Sequence, residues 1–131
     1  MSFLLDTHIW IWSLLAPEKL SRRVVKSLEA ADADLWLSPI SVWELVMLVE
    51  RKRVFLDRPV DHWVLDAMTR APLREAPVTH EIALESRTII LPHGDPADRL
   101  LAATATVLNL TLVTADERLL RGKGFSTLPN R

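Results

Sequence analysis

Short apolar runs that read as buried strands alternate along this chain with stretches of helical spacing. Phe3-Leu4-Leu5 stops at Asp6, and Asp34-Leu35-Trp36-Leu37 stops at Ser38. The run from Leu110 to Thr114, apolar and rich in threonine and valine, leads to Asp116. Alternation of this kind has few solutions. Strands that short must be covered on both faces, and helical crossovers cover them, so the chain reads as an α/β fold with a mainly parallel sheet.

The helices are marked by their ends. "THIWIWSLL" closes before Pro17, and "SRRVVKSLEAA" turns Val24, Val25 and Leu28 inward and Arg22, Arg23 and Lys26 to water. Ser38-Pro39 supplies an N-cap and a proline at the first helical position, opening a helix to about Lys52. Pro59 opens "VDHWVLDAMTRA" and Pro72 closes it; "LREAPV" is a candidate short strand. Thr79 caps a helix read over "HEIALESRTII", the loop "LPHGDP" follows, and the next helix runs from about Ala97 to Leu108. "ERLL" is one helical turn, and "GKGF" is a turn before a last short segment, "STL".

At 131 residues, with no internal repeat or linker, residues 1–131 are expected to form one domain. The 49% of apolar residues suffices for one core. Sixteen basic and seventeen acidic residues nearly cancel, so nucleic-acid binding would need a local basic patch. The absence of cysteine excludes disulfides, thiolate chemistry and Cys-ligated metal sites. The apolar run from Ile9 to Leu15 is too short to span a bilayer, and the N-terminus lacks a basic n-region. The expectation is a soluble cytoplasmic protein with no membrane partner.

In an open α/β sheet, ligands bind beyond the carboxyl ends of the strands. Chain order alone puts Asp6, Asp116 and Glu44 near that edge; Asp98 joins them only if its helix starts there. Each acid also has a plain structural reading. Asp6 and Asp116 could be N-caps. Asp95-Pro96 looks like the capping end of the helix that follows, and Asp98 then stands where an acid can close a capping box. Glu44 is harder to explain away. In "ISVWELVMLV" only Ser41 and Glu44 are polar, and they share one face, which is either a narrow solvent stripe or the wall of a polar pocket.

Carboxylates gathered in one pocket repel one another, and a divalent cation relieves the repulsion. An all-oxygen ligand set, without cysteine or paired histidines, suits Mg²⁺ or Mn²⁺ rather than zinc. Such sites serve phosphoryl chemistry. With three glycines in the chain, a nucleotide-binding P-loop is not expected.

Four segments in this order, "LLDTHIWIW", "SPISVWEL", "HGDPADRLLAATA" and "LTLVTADERL", resemble the PIN-domain family, and within it the VapC-type toxins of toxin–antitoxin pairs. The resemblance covers nearly the whole chain. It implies a PIN-like three-layer fold and a Mg²⁺- or Mn²⁺-dependent endoribonuclease. It also implies an RNA substrate, a homodimer and a small VapB-type antitoxin. The family's acids match Asp6, Glu44, Asp98 and Asp116, which would serve as catalytic and metal-binding residues. Glu44 would either ligate or orient the attacking water. Asp95 matches a recurrent structural Asp, Thr114 a small hydroxyl residue near the last acid, and Thr7 is a helper beside Asp6.

Arg99 reads as a salt-bridge partner of Asp98 or a phosphate contact. Arg118, Arg121 and Lys123 also flank the acids, though a solvated surface explains each of these cations as well. His8, His62, His80 and His93 show no metal-ligand spacing and read as surface or capping residues. Trp10, Trp12, Trp36 and Trp43 read as core or dimer interface, and Trp63, beside Asp61 and His62, as semi-exposed and open to an antitoxin. Three rivals fit less well. A haloacid-dehalogenase-like phosphatase wants an acid where His8 stands. A response-regulator receiver wants an Asp where Ser38 ends its strand. A catalytically silent PIN-fold binding module would not need the intact acidic set.

Overall fold

A computed structural model describes residues 1–131. The first strand, β1 (Ser2–Leu5), is apolar throughout its buried part because helices cover both of its faces. It lies at the centre of a five-stranded sheet with β2 (Asp34–Leu37), β3 (Arg74–Glu75), β4 (Thr111–Thr114) and β5 (Ser126–Pro129), in the order β3-β2-β1-β4-β5. Every pairing is parallel. The chain steps from β1 to β2 to β3 on one side, then crosses to β4 and β5 on the other. The order therefore reverses between β1 and β4, and a crevice opens beyond the carboxyl ends of those two strands.

Alternate residues feed two cores. Phe3, Leu5 and Val113 face α1 (Thr7–Leu15), α2 (Arg22–Glu29), α3 (Pro39–Glu50) and α4 (Val60–Arg70), through Ile9, Val24, Leu45 and Ala67. Leu4 and Leu112 face the opposite way, onto Leu101 and Ala105 of α6 (Pro96–Val107) and Leu119 of α7 (Glu117–Leu120). The short α5 (His80–Glu85) packs Ile82 against the outer side of α6 at Ala102 and Ala103. The result is a sheet between two helical layers. No helix is long and apolar enough to cross a membrane.

The caps read from sequence at Ser38 and Thr79 are in place, accepting from the backbone N–H groups of Ile40 and Ile82, and Ser21 caps α2 in the same way through Val24 N–H. Helix α6 ends on Asn109 at φ 53°, and Leu110 N–H returns to Ala105 O at 2.8 Å, a left-handed stop that asparagine tolerates well.

Two expectations need correction and a third is narrowed. The stretch "HEIALESRTII" is helical only to Glu85: beyond it the turn tightens, with Arg87 and Thr88 N–H returning to Leu84 O and Glu85 O, and Arg99 binds the carbonyls of Ser86 and Ile89. Trp63 is not semi-exposed: it is 3% exposed and meets Trp10 edge-on, with ring centroids 5.9 Å apart. Conversely, Trp43 is 54% exposed, which excludes the core for that side chain.

Candidate active site

Asp6 leaves the end of β1 with its backbone N–H still on the ladder, donating to Val113 O. Its carboxylate is divided between two partners. Oδ1 accepts from Thr7 N–H at 2.8 Å, which caps α1, and Oδ2 accepts from the Thr114 hydroxyl at 2.6 Å. Thr114, fully buried at the end of β4, also accepts from Asp116 N–H at 3.0 Å. One hydroxyl thus ties the first acid to the backbone of the last across the β1–β4 switch point.

Thr7 does similar work for Glu44. Its Oγ1 lies 2.5 Å from Glu44 Oε1 and 2.9 Å from Ser41 Oγ, so it can donate to the carboxylate while accepting from Ser41. This accounts for the lone polar pair on α3: Ser41 is fully buried and Glu44 half-buried on a pocket wall.

Asp98 reaches the same place because of sheet direction. Helix α6 runs back to the start of the parallel strand β4, so its N-terminus lies at the carboxyl edge. Asp95 makes the cap alone, with Oδ1 accepting from Ala97 N–H at 2.9 Å and Asp98 N–H at 3.3 Å. The Asp98 carboxylate turns instead to His93, whose Nε2 lies 2.7 Å from Oδ2. Asp116 caps α7 through Arg118 N–H and is gripped by the Arg118 guanidinium, at 3.1 Å to Oδ2. The same guanidinium lies 3.8 Å from Asp98 Oδ2.

Asp6, Glu44, Asp98 and Asp116 therefore line one pocket of about 320 Å³, together with Thr7, His8, Asp95 and Arg118. A more apolar opening of about 500 Å³ adjoins it, sharing His8, Glu44 and Asp95 and walled by Trp43 and Met47. Electrostatics agree with a shared pocket. Burial, with Asp98 adding to it, pushes the Asp6 carboxyl up to about 6 despite its hydrogen bonds. Burial raises Glu44 as well, and Asp6, Asp98 and Asp95 add to it; burial and then Asp95 and Asp116 raise Asp98. Burial would raise Asp116 too, but the hydrogen bonds and charge of Arg118 outweigh it and hold that carboxyl low.

No three of the His, Asp and Glu side chains already stand close enough together to hold an ion. Each acid is instead held by a partner of its own. The donor chemistry nevertheless fits a hard divalent cation. The acids raise one another's proton affinity, and Asp98 Oδ1 and Glu44 Oε2 carry no protein hydrogen bond.

Arg99 departs from its expected place. Its guanidinium donates to Ser86 O at 2.8 Å and Ile89 O at 2.7 Å, so it ties α6 to the end of α5 and does not pair with Asp98. His93 was expected at the surface or in a cap; its side chain is 14% exposed and lies against Asp98. The available signal was its position five residues before Asp98 in the tight loop "HGDPAD".

The PIN domain family model matches residues 3–124. Ribonuclease VapC22 of Mycobacterium tuberculosis is 37% identical over 88% of both chains. Among solved structures, a chain of VapBC2 from Rickettsia felis bound to a promoter DNA fragment superposes with a TM-score of 0.71 over 98% of each chain, at 18% identity. A chain of DNA-bound VapBC from Salmonella typhimurium gives 0.69 over 100% of this chain and 99% of that one, at 19% identity. These similarities set aside the phosphatase and receiver alternatives, and the chain belongs to the PIN-domain family, on its VapC-type branch.

Proposed function

We propose that this chain is a Mg²⁺- or Mn²⁺-dependent endoribonuclease, the toxin half of a VapBC-type toxin–antitoxin pair. Residues 1–131 act as one unit within a homodimer, with RNA as substrate and a small VapB-type antitoxin as partner. The carrying observation is the convergence of Asp6, Glu44, Asp98 and Asp116 on one pocket at the β1–β4 switch point. A relative named as a ribonuclease and fold neighbours solved as VapBC pairs support the reading.

A bound divalent cation supplies charge stabilisation for attack of water on a phosphodiester. Asp6, Asp98 and Asp116 would hold it, directly or through water. Thr114 fixes Asp6, and Thr7 fixes one oxygen of Glu44. Glu44 keeps Oε2 free, and its raised basicity suits it to orient the attacking water and take its proton. Arg118, with more than half of its side chain exposed, can exchange Asp116 for a substrate phosphate.

The test is cleavage of RNA by the purified protein freed of antitoxin, in Mn²⁺ or in EDTA, beside Asp6→Asn and Asp98→Asn. Cleavage that needs the metal and both acids is the expected result. Variants that cut as well as wild type would move the activity elsewhere. Mn²⁺ binding without cleavage of any RNA offered would favour a silent binding module.

A further inference from the structure

His93 has no place in the chemistry above, yet its environment is unusual for a surface histidine. Its side chain is 14% exposed, and its one polar contact is Asp98 Oδ2 at 2.7 Å. Its other nitrogen, Nδ1, is buried with no hydrogen-bond partner. Together these facts identify the proton. A carboxylate only accepts, so Nε2 must donate. The opposite tautomer would set lone pair against lone pair. A bare lone pair at Nδ1 is the least costly arrangement.

For stability alone this is a poor use of a buried position, because the ring leaves its own Nδ1 buried without a partner. What the ring gains is control of one carboxylate. The loop holding it is short and pinned: Pro92 precedes it, and the Asp95 cap and Pro96 follow.

We infer that His93 is a positioning residue which donates from Nε2 to Asp98 Oδ2 and so fixes the orientation of that carboxylate, leaving Oδ1 without a protein hydrogen bond. Partners of this kind orient metal-binding carboxylates, and their loss commonly weakens metal affinity by about 10–100-fold. The inference rests on the divalent-cation reading proposed above.

The experiment compares Mn²⁺ affinity by calorimetry, with free Mn²⁺ read by electron paramagnetic resonance, for wild type, His93→Leu and His93→Gln. Leucine keeps the bulk and removes the donor; glutamine places an amide N–H near the position of Nε2. His93→Leu should lose about 10–100-fold in affinity, and His93→Gln should recover most of it. Wild-type affinity in His93→Leu, or an equal loss in both variants, would overturn the positioning role while leaving the metal site standing. A wild-type protein that binds no Mn²⁺ would remove both. Should His93→Leu fail to fold, nitrogen NMR of the wild-type ring decides. A proton on Nε2 and none on Nδ1 supports the inference; any other pattern refutes it.

Discussion

Asp6→Asn should make the metal-free protein more stable at neutral pH, although it alters a buried acid in the proposed site. The buried Asp6 carboxyl moves from an ordinary 3.8 to about 6. A carboxyl raised in this way binds its proton more tightly folded than unfolded. The ionised form therefore penalises the fold above about 6, and the penalty fades as the pH falls toward 4. At about 1.36 kcal/mol per pH unit, the full penalty is about 3 kcal/mol. Asparagine removes the charge and keeps the cap to Thr7, since its carbonyl oxygen can replace Oδ1. Against this, its amide must meet Thr114 as a donor, which leaves that buried hydroxyl proton without its acceptor, at a cost of about 1 kcal/mol. The net gain of about 2 kcal/mol corresponds to a rise of roughly 5–10 °C in Tm for a domain of this size. Thermal melts in EDTA at about pH 7.5 and about pH 4.5 read it. The gain should appear at the higher pH and vanish or reverse at the lower. Mn²⁺ should raise the Tm of wild type and leave the variant unmoved. An Asp6→Asn protein no more stable than wild type at the higher pH would refute the electrostatic argument. The cap and the Thr114 bond would then outweigh the burial of charge.

Other substitutions separate neighbouring roles. Arg118→Ala should bind Mn²⁺ at least as tightly as wild type, because a competing cation leaves Asp116 and Asp98. Its KM for RNA should rise, and the salt dependence of RNA binding should fall by a slope of about 1; an unchanged slope would deny it a phosphate contact. Arg99→Ala should cost about 2 kcal/mol of stability by freeing two carbonyls at the end of α5, measured by urea titration, with little change in kcat below its melting range. Trp63→Ala should cost about 3–5 kcal/mol, and Trp43→Ala far less, so a urea comparison of the two checks which indole belongs to the core.

The core strands and the caps were legible because their signals are local. An unbroken apolar run means a strand covered on both faces, and a serine, threonine or aspartate before a helical stretch means a cap. What escaped depended on residues distant in sequence. Helix α5 stops at Glu85, and the segment after it is tied down by Arg99, thirteen residues beyond Ser86, which binds the carbonyls of Ser86 and Ile89. The short strand read over "LREAPV" is present, but only as the exposed pair Arg74-Glu75 of β3, because its extent is set by backbone pairing to Trp36 and Leu37 and not by a side-chain pattern. Trp63 was judged by its neighbours Asp61 and His62, yet adjacent residues on a helix point about 100° apart. The stripe that buries it, Val60, Trp63, Val64 and Ala67, was present in the sequence at helical spacing.

For the acids, the sequence posed a choice between capping a helix and serving a pocket, and for Asp6 and Asp116 that choice dissolves. Asp6 caps α1 and Asp116 caps α7, and both line the pocket. The two jobs support each other. In a parallel sheet each following helix starts at the carboxyl edge, so a capping carboxylate is held at the edge where ligands bind, by the same bond that starts the helix. Asp98 is the acid to which the choice did apply, and there Asp95 takes the cap while Asp98 turns to His93. Alanine at 6 or 116 would remove cap and charge together, and lost activity would not distinguish them. Asparagine keeps the capping oxygen and removes the charge. Asp116→Asn should therefore retain the α7 cap while giving up the ion pair with Arg118, and loss of cleavage in a protein that melts near wild type would assign the carboxylate to the chemistry.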